Sequence, residues 1–467
     1  MIAQAWNTPN FQVITREALT LLKLSLPLCI AQIASISILT ADIWMMGQLS
    51  AFDLASGSLA IRLYQPFYFF SLGLLSLTSP LVAQALGAGD PQRARRTFRQ
   101  GLILAVLLGL IWILPVLKGV DILIFFGQDS TTSRHAEGFL FYASFGLLPS
   151  FLFMVMRFYT SSFQKPIPQM IAAILGLVLN IVLNFIFAKG LYGMPEMGLA
   201  GIALATSLSH LAMAICLGLF VQLKTPFSDV QPFRRWWIVD MPIARRIISL
   251  GLPHSFLVLA ETGMFIVAGF MIGLFGTAPL AAGAIAIQIA GMAFMIPLSV
   301  SQATAIRVGN AAGRASASDV IRTGWIAIGC CIILVLPSAF VLIVFPQTLA
   351  TFFLRPDDEL FIQTLSYLLP LLVITGIFQI GDALHIVISA TLRGLNDTKR
   401  PAIYGIIGFW VIGVGSAWLM AFPLGGGPVY LWVGLSAGLF ATSIILCLRW
   451  YQKTKVMASG GKILEDE

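Results

Sequence analysis

A chain of 467 residues that is 58% hydrophobic and only 10% charged, with a mean hydropathy of +0.91, lacks the polar surface to enclose a water-soluble globule. Its net charge of +8 suggests nucleic acid at first sight, but the cations sit in alternate loops of an apolar chain, which is how a membrane protein encodes orientation. The expected partner is therefore the lipid bilayer, with no nucleic acid, and the expected class is an all-α integral membrane protein.

Twelve stretches are long and apolar enough to cross the bilayer as helices: 24–46, 54–79, 98–117, 139–156, 170–188, 198–223, 247–275, 280–305, 324–345, 360–390, 403–422 and 430–448. No basic region with a short apolar core and cleavage site precedes Arg16, so the first span is its own targeting signal. With the N-terminus placed inside, all but five of the 28 Lys and Arg residues fall in internal segments. The five are Lys118, Arg134, Lys189 and Arg355 in external loops and Arg62 inside a span. Both termini are expected in the cytoplasm, the protein in the inner (plasma) membrane, and external loops such as Pro356-Asp357-Asp358-Glu359 lean acidic. The cysteines Cys29, Cys216, Cys330, Cys331 and Cys447 lie in or beside apolar spans without metal-ligand spacing and are expected to pack as small residues.

Residues 26–87 align with 252–313 at an unbroken offset of 226, with 15 identities. Leu26-Pro27 meets Leu252-Pro253, Gly47 meets Gly273, and Gly87 meets Gly313. Coincident prolines and glycines favour duplication, giving two pseudo-symmetric six-helix lobes. Residues 1–223 form an N-terminal lobe, 224–246 a cytoplasmic connector, and 247–467 a C-terminal lobe. Six spans is an even number, so the repeats are parallel and a pathway between them suits alternating access. The connector carries FRRWWIVDMPIARR, whose tryptophans among arginines suit a membrane interface.

Polar residues fall on helical faces inside these spans. The first carries Gln32, Ser35 and Asp42; the fifth Asn180 and Asn184; the seventh His254 and Glu261; the tenth Thr375, Gln379, Asp382, His385 and Ser389 at three- and four-residue steps. For Ser, Thr, Asn and Gln, hydrogen bonding to neighbouring helices is an equal reading. Carboxylates deep in spans instead mark ion or proton paths, which makes Asp42, Glu261 and Asp382 the candidate coupling residues. Such a carboxylate is neutralised by a proton or by Na⁺, and if only the unloaded form attracts a cationic substrate, ion and substrate compete as antiport requires. Pro27 and Pro253, ahead of Asp42 and Glu261, are candidate hinges or static kinks. No GxxxxGK[ST] motif is present, and four scattered histidines without HExxH argue against a membrane enzyme. A secondary transporter is expected, with no cofactor beyond the coupling ion.

The segments LPLCIAQ…ADIWMMGQLSAFDLA, SPLVAQALGAG, GMPEMGLAGIALAT, FMIPLSVSQATAIRVGNAAG and ATLRGLNDTKRP, in that order, resemble the multidrug and toxic compound extrusion (MATE) family, specifically its NorM-like branch, from about Glu17 to Trp450. The resemblance implies two six-helix lobes about a central cavity and export of cationic or amphiphilic drugs or metabolites in exchange for Na⁺ or H⁺. It assigns Asp42, Glu261 and Asp382 to coupling, with Na⁺ at any of the three, and Asn180, Asn184 and Thr206 to the N-terminal lobe's cation site. Gln32, Arg62, Gln288, Gln379 and His385 are candidates to line the substrate cavity. Two departures stand out. Phe378 replaces a tyrosine found in some relatives one turn before Asp382, which leaves the ion open. Arg62 replaces a neutral residue and is expected to face Asp42 or the cavity, or else to snorkel to the outer interface. An exporter or flippase of one endogenous metabolite or lipid on the same scaffold is the alternative, and a monomer is expected.

Overall fold

A computed structural model of the chain describes residues 11–353 and 361–464; Arg355 and the acidic loop residues 356–359 lie outside the described residues. Among the described residues twelve helices are long and apolar enough to cross a membrane. In order they are Phe11–Leu49, Ala51–Gly87, Pro91–Leu117, Glu137–Ser162, Ile167–Lys189, Gly198–Leu223, Met241–Gly273, Thr277–Gly313, Ala317–Val344, Phe361–Gly394, Lys399–Ala421 and Gly427–Ala458. Leu110, Ile111, Leu114, Phe270 and Val411 lie exposed on these helices, as side chains turned toward acyl chains must.

The internal repeat holds to the residue at the ends of the second and eighth helices. The second and eighth helices begin at Ala51 and Thr277 and end at Gly87 and Gly313, each pair at the 226 offset. The corners that follow repeat too. Gly89 and Ala315 both take a left-handed backbone (φ +71° and +56°), and the next residues, Asp90 and Ser316, cap the third and ninth helices through their side chains. The second helix is interrupted by a turn at Ser76–Leu77, whereas the eighth is continuous.

Two compact units are present. One comprises Leu26–Ser255, the other the described residues up to Ser25 together with those from Phe256 onward. These ends fall inside the first and seventh helices, not at the loop boundaries expected at 223 and 247. The reason at the first helix is a side-chain one: Glu17 Oε1 accepts from Arg307 Nε at 3.0 Å and from Thr323 Oγ1 at 3.1 Å, tying the helix's beginning to the eighth and ninth helices.

In the Leu26–Ser255 unit the fourth helix is central and packs on the third and sixth. Its core is aromatic, with Phe98 and Tyr159 rings 4.2 Å apart and Phe227 of the connector seated against Phe163 at 5.2 Å. In the other unit the tenth helix is central and packs on the eighth, ninth and twelfth. The eleventh helix widens into a π-helical stretch at Ile407–Val414. There Gly408 and Gly413 meet Gly438 of the twelfth helix so closely that a side chain on Gly438 would strike both backbones. The RGLNDTKRP segment is polar in sequence but largely folded inward: Leu395 through Thr398 are buried, and Asp397 Oδ2 accepts from Arg449 Nε at 3.0 Å.

Candidate functional site

In the Leu26–Ser255 unit the first, fifth and sixth helices bring Asp42, Asn180, Asn184 and Thr206 together. The four-residue spacing of Asn180 and Asn184 puts both amides on one helical face, and both groups are fully buried, as is Asp42. Asp42 Oδ1 accepts from Asn184 Nδ2 at 2.8 Å and Asn180 Nδ2 at 3.1 Å, while Oδ2 accepts from Thr206 Oγ1 at 2.6 Å. Asn180 Nδ2 also donates to Thr206 Oγ1 at 3.0 Å, and Asn184 Nδ2 to Asn180 Oδ1 at 3.3 Å. Both carboxylate oxygens are thus engaged as acceptors, and the carbonyl oxygen of Asn184 is buried with no donor. Three donors thus fill three of the roughly four lone-pair sites of the Asp42 carboxylate, and Oδ2 keeps one for a proton or cation.

In the other unit the seventh and tenth helices assemble a second cluster. His385 Nε2 lies 3.6 Å from Glu261 Oε2, and His385 Nδ1 lies 3.4 Å from Asp382 Oδ1. The three-residue step places Asp382 and His385 on one face, and both are buried; Glu261 is half-buried. Neither Asp382 Oδ1 nor His385 Nδ1 meets hydrogen-bond geometry with any partner, despite their proximity. One ligand atom from each of the three residues lies within 4.8 Å of the others. The ring of Phe409, in the π-helical stretch, stands edge-on to His385 at 5.3 Å, and Trp410 donates its indole N–H to Ala260 O at 3.1 Å beside Glu261.

The remaining candidates separate. Gln379 is buried and accepts from Ser338 Oγ at 3.3 Å, with its Nε2 unpartnered. Gln32 is half-buried and accepts from Arg157 Nη1 at 3.0 Å. Arg62 and Gln288 are exposed, and among the described residues no ion pair joins Arg62 to Asp42. Phe378 offers no oxygen; it is buried edge-on between Phe265 and Trp432. Pro27 is the second residue of its compact unit and Pro253 lies two before that unit's end, both inside unbroken helices. Sequence reasoning missed Arg157, counted only as an orientation charge at the end of its span. It is buried within the fourth helix, which runs past the expected span end at residue 156 to Ser162.

The MatE family model matches residues 27–186 and 253–419, two segments that begin 226 apart. The chain is 36% identical over 432 residues to a protein of Agrobacterium fabrum called a probable multidrug resistance protein NorM, covering 92% of each chain. It is 34% identical over 434 residues to a protein of Bradyrhizobium diazoefficiens bearing the same description, covering 93% of each. Among solved structures, a MATE protein in complex with MaL6 superposes with a TM-score of 0.87 at 21% identity, covering 95% of this chain and 97% of that one. At that identity the likeness is one of fold.

Proposed function

We propose how this chain, which belongs to the MatE family and is a multi-pass multidrug efflux antiporter rather than an enzyme, couples export to ion entry: a proton is loaded at Glu261, Asp382 and His385 as a cationic or amphiphilic substrate leaves. The observation that carries the reading is the imidazole of His385 lying between the two carboxylates, one ring nitrogen 3.6 Å from Glu261 and the other 3.4 Å from Asp382. A neutral imidazole has one N–H and one lone pair, so it can donate to only one of two flanking acids. A further proton supplies the second contact and lowers the cluster's negative charge by one unit. A hard cation such as Na⁺ prefers oxygen ligands throughout, and an imidazole between the carboxylates is a poor substitute.

Loading changes what the site attracts. With the acids charged, a cationic substrate is held by Coulombic attraction in a low-dielectric surround; with the proton on board the attraction falls and the substrate is released. Asp42 and its three donors supply a second charge-changing group in the other unit. Its available ligand atoms are oxygens, with Thr206 Oγ1 and the unpartnered Asn184 Oδ1 joining the carboxylate once the two amide nitrogens turn aside, and they favour Na⁺ as a second reading confined to that cluster. The charge pattern supports an inner-membrane location with both termini cytoplasmic. The test is uphill uptake of a cationic dye into proteoliposomes with pH and Na⁺ gradients imposed separately. A pH gradient alone should suffice, and His385→Gln should abolish the response. Uptake driven by Na⁺ at equal pH and untouched by His385→Gln would reject proton coupling at this cluster.

A further inference from the structure

The connector and the third helix together build a cavity that the transport reading does not use. It holds about 400 Å³ and is lined by Arg95, Arg96, Arg99, Arg234 and Arg235, with Gln100, Ile238 and Asp240. Five guanidinium groups therefore share the space with one carboxylate, and that carboxylate is already engaged by Arg96 at 3.4 Å. Like charges crowded at this density repel unless an anion sits among them.

The cavity is fixed in shape rather than being a loose surface array. Arg99 Nε donates to Pro232 O at 3.3 Å and Gln100 Nε2 to Ile238 O at 2.9 Å, pinning the connector backbone on the third helix. Phe233 stacks edge-on to the buried Phe98 at 5.6 Å, fixing the same segment from below. Two polar atoms, Arg95 Nε and Gln100 Oε1, are buried with no hydrogen-bond partner. A buried donor of a charged group left unmade is costly, and a phosphate oxygen is the acceptor that guanidinium forks match best.

The connector's apolar side chains decide what kind of anion fits. Trp236, Trp237, Ile238, Val239 and Met241 follow the cavity's arginines in sequence and are exposed, Trp237 at 65%. A free phosphate has no use for them. A phospholipid does, because tryptophans at this level settle among headgroups while aliphatic side chains reach acyl carbon.

We propose that this cavity binds the headgroup of an anionic phospholipid, its phosphate held by the arginine cluster and its glycerol and first acyl carbons against the Trp236–Met241 edge. The site is distinct from both carboxylate clusters, and its occupancy is measurable without transport and without regard to sidedness.

Full-length protein in neutral detergent is titrated with dioctanoyl phosphatidylglycerol, dioctanoyl phosphatidylcholine or inorganic phosphate, and the unfolding temperature is followed. Phosphatidylglycerol should raise it saturably while the other two do not. Arg234→Gln with Arg235→Gln, both exposed, should weaken the apparent affinity roughly tenfold or more, from about 1 kcal/mol for each cation near an anionic lipid. Lys165→Gln, an exposed cation outside the cavity, should leave it unchanged. Should the double variant lose stability without lipid, Trp236→Ser with Trp237→Ser keeps every arginine and must weaken phosphatidylglycerol binding on its own. An equal response to phosphatidylcholine, an equal response to inorganic phosphate, or an equal loss in Lys165→Gln would each overturn the proposal.

Discussion

Asp42 shows how a single acid is held ready inside hydrocarbon. Its carboxylate takes three donors, of which Thr206 Oγ1 at 2.6 Å is the closest. Thr206→Val keeps the volume and removes that donor, at a cost on the order of 1.5 kcal/mol for a hydrogen bond to a charged group. Coupled transport should therefore fall roughly tenfold in proteoliposomes while the amount of protein in the membrane is unchanged. Asp42→Asn should go further, because an amide turns a donor toward donors, and uphill transport should disappear. Glu17 carries a different burden. It pairs with Arg307 in a fork, with Thr323 as a third donor, and both ionic side chains are nearly buried. Glu17→Gln leaves Arg307 short of its counter-charge, so it should cost about 3 kcal/mol in denaturant unfolding. Asp121→Asn, which loosens only the exposed Lys118 pair at 3.8 Å, should show no measurable loss. The spacing of Asn180 and Asn184 made half of the Asp42 cluster legible in the chain, and only the family motif supplied Thr206. Glu17 left no such trace, since an acid before a span reads as an ordinary solvated charge until the fold brings Arg307 to it.

Helices and their corners carry the duplication more faithfully than residue identity does. The left-handed corner after the second helix has Gly89, which takes φ +71° without penalty; its repeat-mate Ala315 takes φ +56° with a methyl group in the way. Ala315→Gly should therefore stabilise the protein by roughly 0.5–1 kcal/mol, seen as a higher unfolding temperature, because the strain relieved exceeds the entropy added to the unfolded chain. The opposite holds at the twelfth helix. Gly438 packs on the backbone of Gly408 and Gly413, so Gly438→Ala should cost about 2 kcal/mol or more and displace the π-helical stretch that holds Phe409 against His385. Helix existence and order were readable from apolar run length, as was the alignment of Pro27 with Pro253. The π-helical stretch was not, because residues 403–422 look like any apolar span until their glycines find a close partner. Nor were the ends of the compact units, since hydropathy does not change where the first and seventh helices pass from one to the other.

At the scale of the whole molecule, orientation is set by where the cations stop. The first, third, seventh and ninth helices all begin beside basic residues, among them Arg16, Arg93, Arg95, Arg96, Arg245, Arg246, Arg314 and Arg322. The hairpin between the fifth and sixth helices has Lys189 alone, paired over the Phe185 ring at 5.4 Å. Translocating a cation-rich loop is disfavoured, so the charge distribution predicts that the basic ends stay in the cytoplasm and the hairpin crosses. Tyr192 at the hairpin tip is 91% exposed, and Lys455 near the end of the twelfth helix is exposed as well, so both can report the side on which they lie. In a variant with the five native cysteines replaced by serine, Tyr192→Cys should react in intact cells with a maleimide that cannot cross the membrane. Lys455→Cys should react only after the cells are opened. Labelling of both positions in intact cells would break the twelve-span count, because an even number of crossings separates the hairpin from the C-terminal end by an odd number of spans. The reversed pattern would keep the count and invert the orientation, turning the basic cavity outward and removing the charge argument for cytoplasmic termini.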